Sequence, residues 1–166
     1  MTTLRSLAET DLPAVAAIYA HYVTETVATF DEAPPDPGDW RLKAAEITAA
    51  GLPFVVAAEG EEVLGYAYAA QYRPKPAYRH TLEDSIYLAP GATGRGLGRR
   101  LLGELISAVS ATPARQLVAV IADSGDPASA GLHAAFGFAE AGRLRNVGFK
   151  HGRWIDTVLL QLDLRR

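Results

Sequence analysis

A chain of 166 residues can bury one core without metal or disulfide staples. Its 49% hydrophobic and 21% charged residues are ordinary for a globular protein, and a net charge of −3 provides no basic field for nucleic acid or membrane. The absence of cysteine excludes a disulfide framework, a thiolate metal site and a cysteine nucleophile. Met1-Thr2-Thr3-Leu4-Arg5 carries no signal-peptide apolar run, and no stretch approaches about 18 apolar residues. The expectation is a cytoplasmic enzyme or binding module, folded as one domain over residues 1–166.

Thr10 or Asp11 can cap a helix running to about Thr26, with Leu12, Val15, Ile18, Tyr19 and Tyr22 as its apolar stripe. Pro34, Pro35 and Pro37 make Asp31 to Gly38 a loop. A second helix is expected from Asp39 to Ala50, stopped by Gly51 and Pro53. Strands follow at Phe54 to Ala58 and Val63 to Gln71, joined by a turn at Gly60. Tyr72 to His80 is a basic, proline-containing loop, and Leu82 to Ala89 reads as a strand. After a glycine turn comes a helix from about Gly98 to Ser110, with Leu101, Leu102, Leu105, Ile106 and Val109 on one face. The apolar run Leu117 to Ala122 predicts a central strand covered on both faces. Asp126, as N-cap, and Pro127 open a further helix ending near Gly137. Two strands close the chain, Ala139 to Phe149 and Trp154 to Leu164, with Val158, Leu160, Leu162 and Leu164 sharing a face. The order argues an α+β fold over a doubly wound one.

Chemistry concentrates at Ile86 to Arg99. Gly94, Gly96 and Gly98 let a ligand approach the backbone, and the helix that follows offers free amides to an anion. Arg95, Arg99 and Arg100 add cations, so a pyrophosphate suits the turn. A Walker loop needs Gly-Lys-Ser/Thr, whereas Gly98 is followed by Arg99-Arg100. A dinucleotide fingerprint needs G-x-G-x-x-G within a parallel βαβ unit. A coenzyme A pyrophosphate loop and a ligand-free connection both remain open on the glycines alone.

The run Ile86-Tyr87-Leu88 followed by Thr93-x-x-Gly96-x-Gly98 resembles the acetyl-CoA motif of the GNAT superfamily. Asp126 to Phe138 resembles that superfamily's next motif, in the same order. Further runs resemble the phosphinothricin and methionine sulfoximine acetyltransferases: Ile18-Tyr19-x-His21-Tyr22, Ala28-Thr29-Phe30, Arg73-Pro74, Thr81-x-Glu83 and Val147 to Asp156. Thr93 stands where the superfamily commonly has Gln or Arg, and Asp126 where it commonly has Asn.

The resemblance implies a GNAT-like mixed, mostly antiparallel twisted sheet with flanking helices, acetyl-CoA as cosubstrate and a homodimer. It implies pantetheine along Ile86, Tyr87 and Leu88, with the Leu88 amide polarising the thioester carbonyl. Gly94, Arg95, Gly96, Leu97, Gly98 and Arg99 would cradle the pyrophosphate, with Asp126 and Ser129 also on the cofactor side. Glu83 shares a strand face with Tyr87 and is the candidate general base, or else a solvent-facing residue paired with an arginine. His133 is either the donor of a proton to the leaving thiolate or a packed helix histidine. Phe30 and Tyr78 are expected as acceptor walls, with Arg73, Pro74, Lys75, Asp84 and Ser85 beside them. The basic loop favours a small-molecule amine carrying an acidic group. The competing readings are a GNAT enzyme for a protein N-terminus, polyamine or other amine, and a non-catalytic CoA-binding module. No role is assigned to Lys150, His151 or Asp156. His21 and His151 show no ligand spacing, so no metal is expected.

Overall fold

The apolar runs become seven strands and four helices in a computed structural model that describes residues 1–165. In chain order these are β1 (Thr3–Ser6), α1 (Leu12–Glu25), α2 (Pro37–Ala49), β2 (Phe54–Glu59), β3 (Glu62–Gln71), β4 (Thr81–Leu88), α3 (Leu97–Ser110), β5 (Gln116–Ala122), α4 (Ala128–Ala135), β6 (Ala139–Lys150) and β7 (Arg153–Asp163). One sheet holds all strands in the order β1-β2-β3-β4-β5-β7-β6. Every pairing is antiparallel except β4 with β5. This is the mixed, mostly antiparallel sheet of the expected α+β class. The expected domain ends at Arg166, which lies outside the described residues. Among the described residues no helix is long and apolar enough to cross a membrane.

Strand alternation sorts the core into two layers. Val56, Tyr66 and Tyr68 meet α1 and α2 on one face, around the buried Trp40. Val55, Ala57, Ala67, Ala69 and Leu82 meet α3 on the other, where Leu101, Leu102 and Leu105 are wholly buried. Each such leucine contributes roughly 1.5–3 kcal/mol of apolar transfer. The stripe and the α3 face are therefore the structural features that the periodicity indicated.

Four local expectations change. Asp11 stands at the N-cap of α1, but its side chain makes no capping bond. Its buried carboxylate accepts two bonds from Arg5 (2.6 and 2.9 Å) and one from the Ala8 amide (2.7 Å), tying β1 to the α1 entrance. The second helix begins at Pro37, because Asp36 accepts from the Asp39 amide and Pro37 takes the first helical position. Strand β5 is covered on one face only: Leu117 and Ala119 are buried, while Val118 and Val120 are half-buried. Finally, α4 starts at Ala128, whose amide is accepted by Asp126 at 3.0 Å.

Gly65 lets β3 lie close to the end of β4. A Cβ there would sit 2.6 Å from Leu88 Cδ2 and 3.0 Å from the Tyr87 carbonyl oxygen. Gly65→Ala is expected to destabilise the fold by about 1–3 kcal/mol through overpacking, read as a lower Tm in thermal denaturation. An unchanged Tm would mean that the contact yields freely.

Candidate active site

Strands β4 and β5 pair through only three residue pairs: Thr81 with Gln116, Leu82 with Leu117 and Glu83 with Val118. Beyond Glu83 the two strands part. A cavity of about 570 Å³ fills the wedge, lined by Glu83 to Leu88 on one side and Ala119 to Ala122 on the other. The Ala89 amide donates to the Leu64 carbonyl, so Ala89 faces β3. Antiparallel alternation then turns the N–H groups of Asp84, Ile86 and Leu88 toward the gap. This unpaired edge can accept an extended chain of amides as a further strand.

On the α1–α2 face, Glu83 and Tyr87 point the same way, as their spacing indicated. Glu83 is half-buried. Burial pushes its carboxyl above the usual carboxylate range, Arg73 opposes this, Asp84 adds to it and Lys43 opposes it. Arg73 stands 3.8 Å from the carboxylate, its guanidinium 4.0 Å from the Tyr72 ring centroid. Lys43 lies over the Tyr68 and Trp40 rings at 4.9 and 5.7 Å. Phe30 lines the cavity with Ser85, Lys43 and Tyr68. Tyr78 stands edge-on to Tyr72 instead, and Pro74 and Lys75 are exposed on the same loop, outside the cavity wall.

At the other end of β4, Gly94 and Gly96 adopt φ of 74° and 76°, a left-handed backbone that favours glycine. Gly96 is the N-cap of α3 and supplies no side-chain bond, so the first α3 amides stay available to an anion. Leu97 is buried against Leu64 and Ala92, leaving only its backbone to serve a ligand. The arginines are drawn elsewhere. Arg95 bonds Glu59 at 2.6 Å, Arg99 lies over the Phe136 ring, and Arg100 donates to the Thr2 carbonyl. Gly98, Thr93, Asp126 and Ser129 do line the cavity. Asp126 engages the Ala128 amide and so acts as a turn-former. The Tyr22 hydroxyl donates to the Leu88 carbonyl at 2.5 Å, fixing the end of the free edge. An open strand edge leading to left-handed glycines and free helix amides fits a pantetheine arm ending in a pyrophosphate.

Asp84 and His133 occupy the opposite, α3–α4 face. The His133 ring is buried, with Nδ1 2.7 Å from the Ser129 carbonyl oxygen and Nε2 2.7 Å from Asp84 Oδ2. Both partners accept, so the arrangement suits an imidazolium donating twice. Burial lowers the imidazole pKa, but the Asp84 bond and charge and the Ser129 carbonyl outweigh it, and the net shift is upward. Asp84 Oδ1 is buried without a partner.

Sequence reasoning missed Lys43, Tyr19, Tyr22 and Tyr68 at the cavity wall. The tyrosines fall on the α1 stripe and on β3, and no local signal marks their hydroxyls. Among the described residues no group of three or more His, Asp or Glu could hold a metal ion.

With this geometry in hand, a sequence profile described as Acetyltransferase (GNAT) domain matches residues 4–159. The phosphinothricin N-acetyltransferase of Alcaligenes faecalis is 55% identical over 98% of this chain and 82% of its own length. The L-methionine sulfoximine/L-methionine sulfone acetyltransferase of Pseudomonas paraeruginosa is 38% identical over 98% of this chain and 94% of its own. A crystal structure of a GNAT superfamily phosphinothricin acetyltransferase from Sinorhizobium meliloti, in complex with acetyl-CoA, superposes with a TM-score of 0.93. It is 44% identical, covering 98% of this chain and 88% of that one.

The buried pair generates a pH-dependent stability. A histidine whose folded pKa is raised contributes fully below its unfolded value, about 6.5, and loses that contribution as pH rises through the folded value. Wild-type Tm is therefore expected to fall as pH climbs above this range, and Asp84→Asn should flatten that slope. A Tm–pH curve identical in both proteins would contradict the ion pair.

Proposed function

The chain belongs to the GNAT acetyltransferase family, and we propose that it moves the acetyl group of acetyl-CoA onto the primary amine of a small amino-acid-like acceptor, of the phosphinothricin or L-methionine sulfoximine type. The observation that carries this reading is Glu83 at the point where β4 and β5 part, half-buried and flanked by Arg73 and Lys43. Acetyl-CoA supplies the acetyl group as an activated thioester. The chain's task is to hold the acceptor, take its proton and stabilise the charge that develops on the carbonyl oxygen.

Glu83 is the general base, directly or through one water. Its upward-shifted pKa brings it nearer to working pH and makes it a stronger base than an exposed glutamate. Arg73 and Lys43 attract the acceptor's acidic group, with Phe30 as an apolar wall. The Leu88 amide, on the free strand edge, is the oxyanion donor. His133 is the packed helix histidine of the two readings, its ring buried and both nitrogens engaged by Asp84 and the Ser129 carbonyl, so that it braces α4 against β4. The same cations disfavour a polyamine, and an intact glycine loop with Glu83 beside the cofactor edge disfavours a purely CoA-binding role. Residues 1–166 act as one domain, in the cytoplasm, where acetyl-CoA is available.

A homodimer fits the same reading. Strand β6 is a sheet edge of 12 residues, and Leu144, Val147, Phe149 and Trp154 are each more than half exposed on its hairpin with β7. Such an apolar edge calls for a partner. Trp154→Glu is expected to convert a dimer to a monomer in analytical ultracentrifugation, and a monomeric wild type would exclude the dimer.

A thiol-release assay against sulfoximines, phosphinates, amino acids, polyamines and peptides tests the acceptor class, with turnover confined to polyamines or peptides as the excluding result. Glu83→Gln is expected to cut kcat by about 10²–10⁴-fold, the usual worth of a positioned base. Arg73→Gln removes a charge that favours the carboxylate, so the acid limb of the kcat/KM profile should move to higher pH. An acid limb unmoved by Arg73→Gln and still present in Glu83→Gln would exclude Glu83 as the base.

A further inference from the structure

The run Val147 to Asp156 makes no chemical contact that the reaction needs, yet it packs directly on the acceptor wall. Strand β6 carries three residues, Arg145 to Val147, where β7 carries only Asp156. Asp156 holds this bulge: its carboxylate accepts from the Asn146 amide at 2.8 Å and from Arg143 at 3.0 Å, with Asn146 at φ 54°. A bulge of this kind re-aims the side chains beyond it. Past the bulge, Gly148 and Lys150 turn inward and are buried, while Val147 and Phe149 turn outward.

Both inward residues meet the loop between α1 and α2. The Phe30 ring lies on Gly148 so closely that a Cβ at position 148 would sit 2.3 to 2.8 Å from three of its ring atoms. Lys150, 5% exposed, donates to the Thr29 carbonyl at 2.8 Å. On its other side the loop is held by the Tyr19 hydroxyl, which meets Thr29 Oγ1 at 2.6 Å and Asp31 Oδ2 at 2.5 Å. Phe30 is thus pinned between two anchors with its ring seated on a residue that has no side chain.

We propose that Gly148 and Lys150 are specificity-determining positioning residues: the β6–β7 hairpin sets where Phe30 stands, and through it the width of the acceptor pocket. The proposal rests on the acceptor pocket assigned above. A Cβ at 148 displaces the ring into the cavity, and loss of the Lys150 ammonium frees the Thr29 peptide. Neither residue touches the strand edge, glycine turn or α3 amides assigned to acetyl-CoA. The two substrates should therefore respond differently.

The test is steady-state kinetics of Gly148→Ala, Phe30→Ala and their double variant, with the acceptor turned over fastest in the assay above. Gly148→Ala is expected to raise the acceptor KM about tenfold, a typical result of displacing a positioning wall, and to leave the acetyl-CoA KM unchanged. In the Phe30→Ala background the same change should alter the acceptor KM less than about twofold, because the ring that collides is gone. An unchanged acceptor KM in Gly148→Ala, a penalty that persists without the ring, or a parallel rise in the acetyl-CoA KM would each overturn the proposal. If Phe30→Ala itself leaves the acceptor KM unchanged, the acceptor-pocket assignment is what fails, and the proposal falls with it. Lys150→Met asks the same question without a steric conflict. A several-fold rise in acceptor KM at constant acetyl-CoA KM supports the proposal, and an unchanged acceptor KM overturns it.

Discussion

The parting of β4 from β5 after three residue pairs is the constraint on which the site depends. Each strand is held firmly on its far side: β4 by seven antiparallel pairs to β3, β5 by seven to β7. Each half of the sheet is therefore a continuous ladder, and the gap lies between them. A continuous ladder would satisfy the amides of Asp84, Ile86 and Leu88 internally and leave nothing for a ligand. Opening the ladder leaves polar backbone groups to be satisfied by water or by a bound chain. It also exposes the half-buried face of β5, which explains why an entirely apolar run does not end up covered on both sides.

The gap also joins the two faces of the sheet. Glu83, Tyr87, Lys43 and Phe30 belong to the face covered by α1 and α2. Asp84, His133 and the α3 amides belong to the other. Consecutive residues of one strand, Glu83 and Asp84, thus serve opposite sides because side chains alternate. The environments of Glu83 and His133 also differ: burial sets the upward shift at Glu83, whereas at His133 burial pulls the pKa down and is outweighed by the Asp84 bond and charge together with the Ser129 carbonyl.

The fold and the backbone of the glycine turn are largely legible in the sequence, because both are written in local signals. Glycines at 94 and 96 are required by their own φ, and the α3 stripe by its own period. What escaped was set by distant partners. Asp11 looks like a helix cap until Arg5 claims it. Arg95 looks like a phosphate ligand until Glu59, at the β2–β3 turn, is brought to it. Lys43 reads as an exposed helix lysine, and only the sheet places Tyr68 beneath it. Asp36 is the exception, a local cap followed by Pro37 that Pro34 and Pro35 mask by extending the loop pattern up to it.

Glu83 illustrates how these long-range placements tune one group. Full burial without cations would raise its pKa so far that it would carry a proton at working pH and could accept none. A tight arginine pair would do the reverse, leaving a carboxylate too weakly basic to help. In the structure burial and the two cations act on Glu83 in opposite senses. Arg73 is kept at 3.8 Å by its stacking on Tyr72, and Lys43 is held over Tyr68, so both cations act at a distance rather than by direct charge-assisted bonds. Their net effect leaves the upward shift in place. The same two cations are then free to engage an anionic acceptor, whose negative charge would offset their pull on Glu83. With Glu83 as the proposed base, binding an acidic acceptor would make the carboxylate more basic as the amine proton leaves, coupling recognition of the acceptor's charge to the chemistry at its nitrogen.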